Sequence, residues 1–312
     1  MVRKEEFYYD SRDRESKIHA VKWIPDDIVK PVCIFQIVHG MAEHIECYNE
    51  FAEFLVGKGI MVVGEDHLGH GKSVAEGGLY GYFCKEDSVN VVVRDVHRLK
   101  KIIQEEYPDI PYLILGHSMG SFILRSYIHR YGSGMDGAVI VGTGMQPKSL
   151  LFLARMLISI QQLFLGPKHI SKFMDKIAFG AYNKKFEPTR TQYDWLSVNQ
   201  SNVDRYIADP LCGFTFTLNG FSTLFQLIRE CHNKEKLEKI PKNLPIFIIS
   251  GTDDPVGDYG RGVEKAYNTY LSHGLQNVHM KLYEKARHEI LNETDREMVY
   301  GDIYRWILQR IA

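Results

Sequence analysis

A single serine stands between two glycines in the segment LILGHSMGSF, residues 113–122. This G-x-S-x-G arrangement, in which Gly116 and Gly120 flank Ser118, is typical of a tight strand-to-helix turn that exposes the serine oxygen. A serine hydroxyl becomes a good nucleophile only when a neighbouring base takes its proton. The pattern therefore predicts a nucleophile at Ser118 and requires a base elsewhere in the chain. The alternative is an ordinary glycine-rich turn without chemistry.

A histidine and an aspartate at suitable positions complete this hypothesis. His288 lies in the turn KARHEIL after the strand-like segment VHMKLYE, and Asp253 and Asp254 directly follow the strand-like segment PIFIISG. In open α/β sheets, ligands bind at the carboxyl ends of the strands, so these side chains should meet at one edge. The chain order serine, aspartate, histidine is that of a known class of hydrolase. Asp254 is favoured because Pro255 restricts its backbone, Asp253 is its rival and Asp258 a more distant one, while turn chemistry alone would also explain an Asp-Asp-Pro cluster.

Acyl transfer also needs donors for the negative oxygen that develops in the transition state. The backbone N–H of Met119, directly after the serine, is one candidate. The other is the N–H of Met41 in the motif HGMAEH, residues 39–44, which follows the apolar segment CIFQIV. Gly40 permits a close backbone approach there, and we expect His39, Gly40, Gly116, His117 and Gly120 to support the site.

A second histidine-containing loop, DHLGHGKS at residues 66–73, is predicted to brace this site. His67 and His70 could suggest a metal, but no third ligand stands at a suitable spacing. His117 is expected to pack beside the elbow rather than to act in catalysis. The sequence therefore predicts no metal site.

Alternation of strands and helices along most of the chain indicates how these residues are positioned. Such alternation predicts an α/β fold with a mostly parallel central sheet and helices on both faces. Strands are expected at residues 6–10, 17–23, 33–38, 60–63, 111–115, 137–142, 245–251 and 278–283, and helices at residues 48–59, 88–107, 121–131, 261–272 and 295–311.

Residues 146–240 break the alternation and are predicted to form an inserted helical cap between two parts of the core, residues 1–145 and 241–312. A segment of this length is too long for a plain loop. It carries 13 Lys and Arg against 8 Asp and Glu, so the cap is basic and the remainder acidic. Within it, residues 150–165 hold 12 apolar residues in 16. We expect this helix either to be buried against a second apolar patch at residues 214–228 or to line an acyl channel leading to Ser118.

Composition excludes several classes of function. The formal net charge of −1 gives no reason to expect a nucleic-acid partner, and 25% charged residues are ordinary for a globular protein. Five scattered cysteines without metal-site spacing favour free thiols in a reducing compartment. The opening MVRKEEFYYD has no apolar signal-peptide core, and no uncharged apolar stretch reaches the roughly 18 residues of a membrane span. A cytoplasmic location is expected; the oligomeric state is not indicated.

Taken in order, the motifs HGMAEH, DHLGHGKS, GHSMG, DPL, SGTDDPV and YEKARHEILNE resemble those of the monoacylglycerol lipases. The wider bacterial group is labelled lysophospholipases or serine aminopeptidase-type α/β-hydrolases. The resemblance implies an α/β-hydrolase fold with Ser118 as nucleophile, Asp254 as acid, His288 as base, and Met41 and Met119 as oxyanion donors. It favours Asp254 over Asp253, because the family's acid stands just before the Pro-Val pair. The cap matches poorly outside YIADPL, so the resemblance does not identify the substrate.

The expected function is hydrolysis of carboxylic esters of monoacyl lipids through an acyl-serine intermediate, without a cofactor. A lysophospholipase or short-chain carboxylesterase would use the same residues. An aminopeptidase is disfavoured by the basic cap, since its substrate is cationic. A non-catalytic receptor on the same fold is disfavoured by the complete set of three residues and oxyanion loop. The expected partner is a small ester or single-chain lipid, with transient contact between the cap and a membrane surface.

Overall fold

The computed structural model describes residues 2–26 and 30–311. Over these residues the chain forms one eight-stranded sheet in the order β1-β2-β4-β3-β5-β6-β7-β8. Its strands are β1 (Val2–Asp10), β2 (Lys17–Pro25), β3 (Ile34–Val38), β4 (Met61–Glu65), β5 (Tyr112–His117), β6 (Gly137–Val141), β7 (Ile246–Gly251) and β8 (Val278–Tyr283). The two N-terminal strands are antiparallel to their neighbours, and the rest of the sheet is parallel. The predicted fold class is confirmed.

Helices connect the parallel strands, as expected because parallel neighbours need a crossover. Those within the described residues are α1 (Asn49–Val56), α2 (Ser88–Glu106), α3 (Met119–Tyr131), α4 (Lys148–Leu165), α5 (Lys172–Phe179), α6 (Gln200–Ala208), α7 (Leu218–Glu230), α8 (Lys234–Glu238), α9 (Arg261–Ser272) and α10 (Arg296–Ile311). Predicted and observed bounds of the core helices agree within a few residues. Helix α1 differs most from its expected range: it ends at Val56, before the glycines at 57 and 59, whereas a helix over residues 48–59 was expected.

Two apolar layers bury the sheet on both faces. Residues of α1 and α10, such as Phe51 and Ile303, pack on one face, and residues of α2 and α3, such as Leu99 and Ile123, pack on the other. All side chains of β3 to β7 are buried, which explains why these strands read as continuous apolar runs rather than as alternating ones. The rigid sheet brings the carboxyl ends of β3, β5, β6, β7 and β8 to one edge.

The segment between β6 and β7 is largely helical, containing α4 to α8. Helix α4 packs against α7, and Leu151, Ala154 and Ile158 are its buried side chains. The rest of α4 is open: among the described residues it is the one helix whose length and composition could cross a membrane, yet only 17% of it is buried. The sequence did not predict it as a span because the stretch is not free of charge: α4 contains Lys148 and Arg155. One such helix is weak evidence for a membrane span.

Candidate active site

Ser118 occupies the tight turn between β5 and α3, with a φ of 52° and a ψ of −119°. Residues other than glycine rarely adopt such a conformation, which costs about 1–3 kcal/mol and persists only when the surroundings hold it. The Ser118 N–H donates to Val141 O at 2.9 Å, and the Ser121 N–H donates to Ser118 O at 2.9 Å. Strand β6 and the first turn of α3 therefore hold the serine in a strained position at the end of the sheet.

The glycines on either side of the serine stand where two stretches of backbone pass too closely for a side chain. A Cβ on Gly116 would lie 2.3 Å from Gly120 O, and a Cβ on Gly120 would lie 2.0 Å from Val38 O. Either contact would push α3 away from the ends of β5 and β3. The two glycines are therefore required for the helix to begin directly at the sheet edge.

His288 and Asp254 are in direct contact beneath this edge. His288 Nδ1 lies 3.0 Å from both carboxylate oxygens of Asp254. The carboxylate is completely buried, and it also accepts hydrogen bonds from Ser250 Oγ and the Val256 N–H, each at 2.9 Å. Asp254 is thereby held in one orientation by β7 and the turn after it.

This contact favours the ionised form of Asp254. Burial opposes ionisation of Asp254, but the charge interaction and hydrogen bond with His288, together with the bonds from Ser250 and Val256, hold the pKa of Asp254 below its ordinary value. An ionised carboxylate only accepts hydrogen bonds. In the neutral form of the imidazole, Nδ1 therefore donates its proton to this carboxylate, and Nε2 keeps the lone pair that can accept a proton.

The two rival aspartates point elsewhere. Asp253 Oδ1 pairs with Lys185 Nζ at 2.6 Å, and Asp258 Oδ1 pairs with Arg261 at 2.8 Å in an exposed i,i+3 contact. The structure therefore brings Asp254, and neither of these residues, against His288.

Ser118 and His288 line the same cavity. Within the part of the chain that the structure describes, no hydrogen bond joins Ser118 Oγ to the imidazole in this conformation; such bonds are often long before a substrate binds. The ring of Trp195 lies 5.2 Å from the ring of His288, and that of His117 lies 4.8 Å from it. These two rings confine the imidazole from two sides.

Two backbone N–H groups are available beside the serine. Met119 is the first residue of α3, and the N–H groups of a first helical turn have no partner within the helix. The Met41 N–H also has no acceptor among the hydrogen bonds of the described residues. Both residues line the cavity together with Ser118.

A buried polar network, mostly missed by sequence reasoning, holds the Met41 loop in place. The carboxylate of Glu43 accepts hydrogen bonds from the Gly40 N–H and from Tyr48 Oη at 2.7 Å. Tyr48 Oη lies 2.9 Å from His117 Nδ1, and His117 Nε2 lies 3.3 Å from His288 O. The only sequence signal was the place of Glu43 within HGMAEH, because His117 lies 74 positions away and nothing in the sequence marks Tyr48 as a partner.

The contact between His117 and Glu43 shifts the pKa values of both groups. Burial disfavours the charge on His117, but its hydrogen bond and charge interaction with Glu43 outweigh burial and raise its pKa. Burial likewise opposes ionisation of Glu43, and the same contact lowers its pKa. The contacts with Glu43, Tyr48 and the carbonyl of His288 hold the ring of His117 beside the elbow.

The loop at residues 66–73 braces the other side of the Met41 loop. The His67 N–H donates to His39 Nε2 at 3.0 Å, and His67 Nε2 lies 3.1 Å from His39 O. Burial, reinforced by the charge interaction with His70, lowers the pKa of His67 to about 3, and burial lowers that of His70 to about 4. Both histidines are therefore neutral at pH 7. His70 Nδ1 lies 3.0 Å from Leu68 O, whereas its Nε2 has no hydrogen-bond partner among the described residues.

The cavity above the serine has a volume of about 670 Å³, which is within the usual range for a small-molecule site. Most of its large apolar and aromatic lining side chains belong to the segment between β6 and β7. They are Phe179, Tyr182, Trp195, Tyr206, Phe214 and Leu224. No described residue of α4 lines it. The expectation that α4 lines an acyl channel is therefore wrong. The alternative expectation was that α4 packs against the apolar patch at residues 214–228, and this is correct for one side of the helix. The reason is that α7 lies between α4 and the cavity and supplies the wall.

Comparison with known proteins identifies a family for most of the chain. The family described as "Serine aminopeptidase, S33" matches residues 30–295. A monoglyceride lipase homolog from Monkeypox virus is 31% identical over 304 residues, covering 94% of this chain and 95% of that protein. The monoglyceride lipase of Mus musculus is 30% identical over 287 residues, covering 90% and 84% of the two chains.

A solved structure is similar over the full length. It is that of a highly thermostable carboxyl esterase from Bacillus coagulans in complex with glycerol, with a TM-score of 0.90, 32% sequence identity and complete coverage of both chains. The similarity therefore includes the β6–β7 segment as well as the sheet.

Proposed function

The chain belongs to the serine aminopeptidase family of hydrolases, and from this premise we propose that it hydrolyses carboxylic esters of single-chain lipids, with monoacylglycerols as its main substrates. The observation that carries the proposal is the buried Asp254–His288 contact at a cavity that Ser118 also lines. The relatives named monoglyceride lipase and the solved carboxyl esterase are similar to this chain at about the same level of identity. Both names describe ester hydrolysis, which supports an ester rather than an amide as the substrate.

In the proposed mechanism, Ser118 Oγ attacks the ester carbonyl while His288 Nε2 takes its proton. The N–H groups of Met41 and Met119 donate to the carbonyl oxygen as it becomes negative. The tetrahedral intermediate then expels the alcohol, which receives the proton from His288, and an acyl-serine remains. Water repeats the attack with the same proton transfers and releases the fatty acid. Asp254 keeps the imidazole in the required tautomer throughout.

Residues 146–240 are proposed to act as a cap that selects the acyl chain. They supply the aromatic and aliphatic wall of the cavity, and each methylene buried against such a wall contributes up to about 0.8 kcal/mol. A covered cavity of this size accommodates one chain more readily than three. Monoacylglycerols should therefore react well, and triacylglycerols poorly.

A substrate panel tests this proposal. Monoacylglycerols, lysophospholipids, p-nitrophenyl esters from C2 to C16 and aminoacyl-arylamides should be compared by kcat/KM, with every lipid kept below its micelle-forming concentration. We expect the monoacylglycerols to lead and the esters to improve over the first several carbons. A marked optimum at C2 would indicate a small-ester hydrolase, a lead for lysophospholipids a lysophospholipase, and a lead for arylamides an aminopeptidase.

Replacement of Phe179 by aspartate should selectively impair long-chain substrates. This partly buried ring lines the cavity, and loss of a buried aromatic contact is worth about 1.5–3 kcal/mol. We expect kcat/KM for a decanoyl ester to fall by about 10- to 100-fold, with a much smaller change for the acetyl ester. The ratio of the two rates is the quantity to measure.

Phe173 provides a matched control on the same helix. It is 56% exposed and does not line the cavity, so Phe173→Asp should leave the ratio unchanged for dissolved substrates. An equal loss on both esters in Phe179→Asp would instead mean that the change disturbs Trp195 and the chemistry. An unchanged ratio would exclude this wall from acyl binding.

The open side of α4 is proposed to contact lipid surfaces. Phe152, Leu163 and Phe164 are 72%, 80% and 78% exposed, which is unusual for side chains of this kind. Residues 146–240, which include α4, contain 13 basic and 8 acidic residues, so anionic head groups would be attracted to this part of the chain. An apolar face with a basic surround is typical of helices that lie in a membrane interface.

The double substitution Leu163→Asp and Phe164→Asp should abolish this contact. Removing two large apolar side chains should weaken partition onto vesicles by about 100-fold or more. Sedimentation with vesicles of mixed zwitterionic and anionic lipid measures the effect, and Met298→Asp, at a residue that is 53% exposed on α10, is the control. Hydrolysis of a dissolved ester should be the same in both variants as in the unmodified protein. If the unmodified protein, the double variant and Met298→Asp bound vesicles equally, α4 would be excluded as the membrane contact.

A cytoplasmic location is inferred from the cysteines. All five lie within the described residues and are free thiols. Free thiols persist in a reducing compartment.

A further inference from the structure

Two short turns from distant parts of the chain bring a histidine and two cysteines together. Cys47 follows His44 by one turn, and its N–H donates to His44 O at 3.1 Å. Cys212 follows Asp209 in the same way, with its N–H donating to Asp209 O at 3.1 Å. The two sulfur atoms lie 3.7 Å apart although 165 positions separate them in the sequence. The first turn belongs to the core and the second to the proposed cap.

His44 points an unused nitrogen atom at this pair. Its Nδ1 is buried and has no hydrogen-bond partner among the described residues. One ligand atom from each of His44, Cys47 and Cys212 lies within 4.8 Å of the other two. A buried nitrogen without a partner is costly, so its position beside two sulfur atoms needs an explanation that the catalytic mechanism does not provide.

The other nitrogen of His44 is already oriented. Nε2 lies 2.9 Å from Asp209 Oδ2, and the second oxygen of that carboxylate accepts the Leu211 N–H at 2.8 Å. With Nε2 donating its proton to this carboxylate, Nδ1 is the nitrogen that binds a metal once it has lost its own proton. A carboxylate behind a histidine is the usual arrangement that orients an imidazole for metal binding.

From this geometry we propose that His44 Nδ1, Cys47 Sγ and Cys212 Sγ bind a zinc ion, with water as the fourth ligand. Two thiolates bound to one tetrahedral zinc at about 2.3 Å lie roughly 3.8 Å from each other, which matches the observed sulfur separation. A disulfide would need about 2.05 Å. One nitrogen and two sulfur ligands with an open position form a known zinc-binding set, and soft thiolates disfavour magnesium and calcium.

The surroundings hold the two turns in register and leave the site accessible. The Gly213 N–H donates to Ala42 O at 2.9 Å, and Tyr206 Oη donates to the same oxygen at 3.0 Å. Cys47 and Cys212 are both partly exposed, so an ion can enter from solvent. A bound ion would tie the cap to the loop that carries the Met41 N–H, and it would lie outside the proposed catalytic set.

Metal titration of the reduced, chelator-treated protein tests the proposal. Zinc should bind with one ion per chain in competition with a chromophoric chelator, and it should raise Tm. Cobalt in place of zinc should give a thiolate-to-cobalt charge-transfer band in the near ultraviolet, with the intensity of two thiolates. Absence of stoichiometric zinc binding, or a cobalt spectrum without that band, would overturn the proposal. So would a Cys47–Cys212 disulfide that persists under reductant.

Variants locate the ion. Losing a group that only hydrogen-bonds to a metal ligand costs about 10- to 100-fold in metal affinity, so removing two ligands in Cys47→Ala/Cys212→Ala should weaken zinc binding by more than about 100-fold. Cys84→Ala is the control, because that thiol lies elsewhere and donates to Glu86 O at 3.1 Å. Zinc bound equally by the double variant would overturn the proposal by placing the ion at other histidines. If the double variant does not fold, the cobalt spectrum of the unmodified protein still decides.

Discussion

Replacement of Ser118 by alanine should reduce kcat for ester hydrolysis by about 10⁴-fold or more while leaving the fold intact. The proposed reaction passes through a bond to Ser118 Oγ, which alanine lacks. The residual rate should come from the oxyanion donors and from substrate binding. Alanine keeps the Cβ of serine, so the backbone at φ 52° carries no additional strain. The measurement is kcat on a short-chain ester, with folding checked by circular dichroism.

A fluorophosphonate that labels activated serines provides a second readout. The unmodified protein should be labelled at Ser118 alone, and Ser118→Ala should not be labelled. The neighbouring Ser121, which donates to Ser118 O, is a suitable control, since Ser121→Ala removes a hydroxyl from the same elbow without removing the nucleophile. Near-normal hydrolysis by Ser118→Ala would remove this residue from the mechanism. Failure to label the unmodified protein would favour a non-catalytic receptor.

Replacement of Asp254 by asparagine should lower kcat by about 10⁴-fold at neutral pH. The asparagine fills nearly the same volume, but its amide can donate to Nδ1 and so favour the wrong tautomer of His288. Burial makes the effect large, because the carboxylate is inaccessible to water and no solvent can take its place. The measurement is kcat on the same ester, together with KM, which should change far less.

The adjacent residue is the matched control. Asp253→Asn removes one carboxylate charge one position away, and this carboxylate pairs with Lys185 rather than with the imidazole. Exposed ion pairs contribute about 0–1 kcal/mol, so we expect a change of less than about ten-fold. If Asp253→Asn were the more damaging substitution, the assignment of the acid would be wrong by one residue.

Acid should weaken the folded state through the same carboxylate. The pKa of Asp254 is lower in the folded protein than its ordinary value, so its charge stabilises the fold above the unfolded pKa, and this contribution is lost as pH falls through the folded pKa. This acid-side loss should be smaller in Asp254→Asn.

Much of this protein could be predicted locally. The strands β3 to β7 are continuous apolar runs because both faces of a parallel sheet are covered, and the helices show their own periodicity. The elbow at Ser118 was evident because its glycines, strand and helix are neighbours in the sequence. His288 could be selected among 13 histidines because it follows a strand, and parallel strands end at the same edge.

Other features depended on which distant segments pack together. Asp253 and Asp254 have the same chemistry and adjacent positions, and only the folded turn directs one to Lys185 and the other to His288. The apolar pattern of residues 148–165 indicated a helix but not what each side of that helix contacts. In the structure α7 lies between α4 and the cavity, so α4 does not line the cavity. Glu43 acquired its role through Tyr48 and His117.

The cysteines show the same limit most clearly. By sequence spacing they were scattered and without a metal-site pattern, because spacing reveals only ligands that share one turn or loop. Tertiary structure placed Cys47 and Cys212 3.7 Å apart through hydrogen bonds between the Met41 loop and residues 206–213. The sequence by itself determined the elements, their order and the chemistry of the strand ends, since these follow from local backbone preference and the burial of a sheet. Three features depend on contacts between segments far apart in the chain: the proposed orienting acid, the wall of the cavity and the thiol pair. These contacts form only when the segments pack together, so the tertiary structure alone defines them.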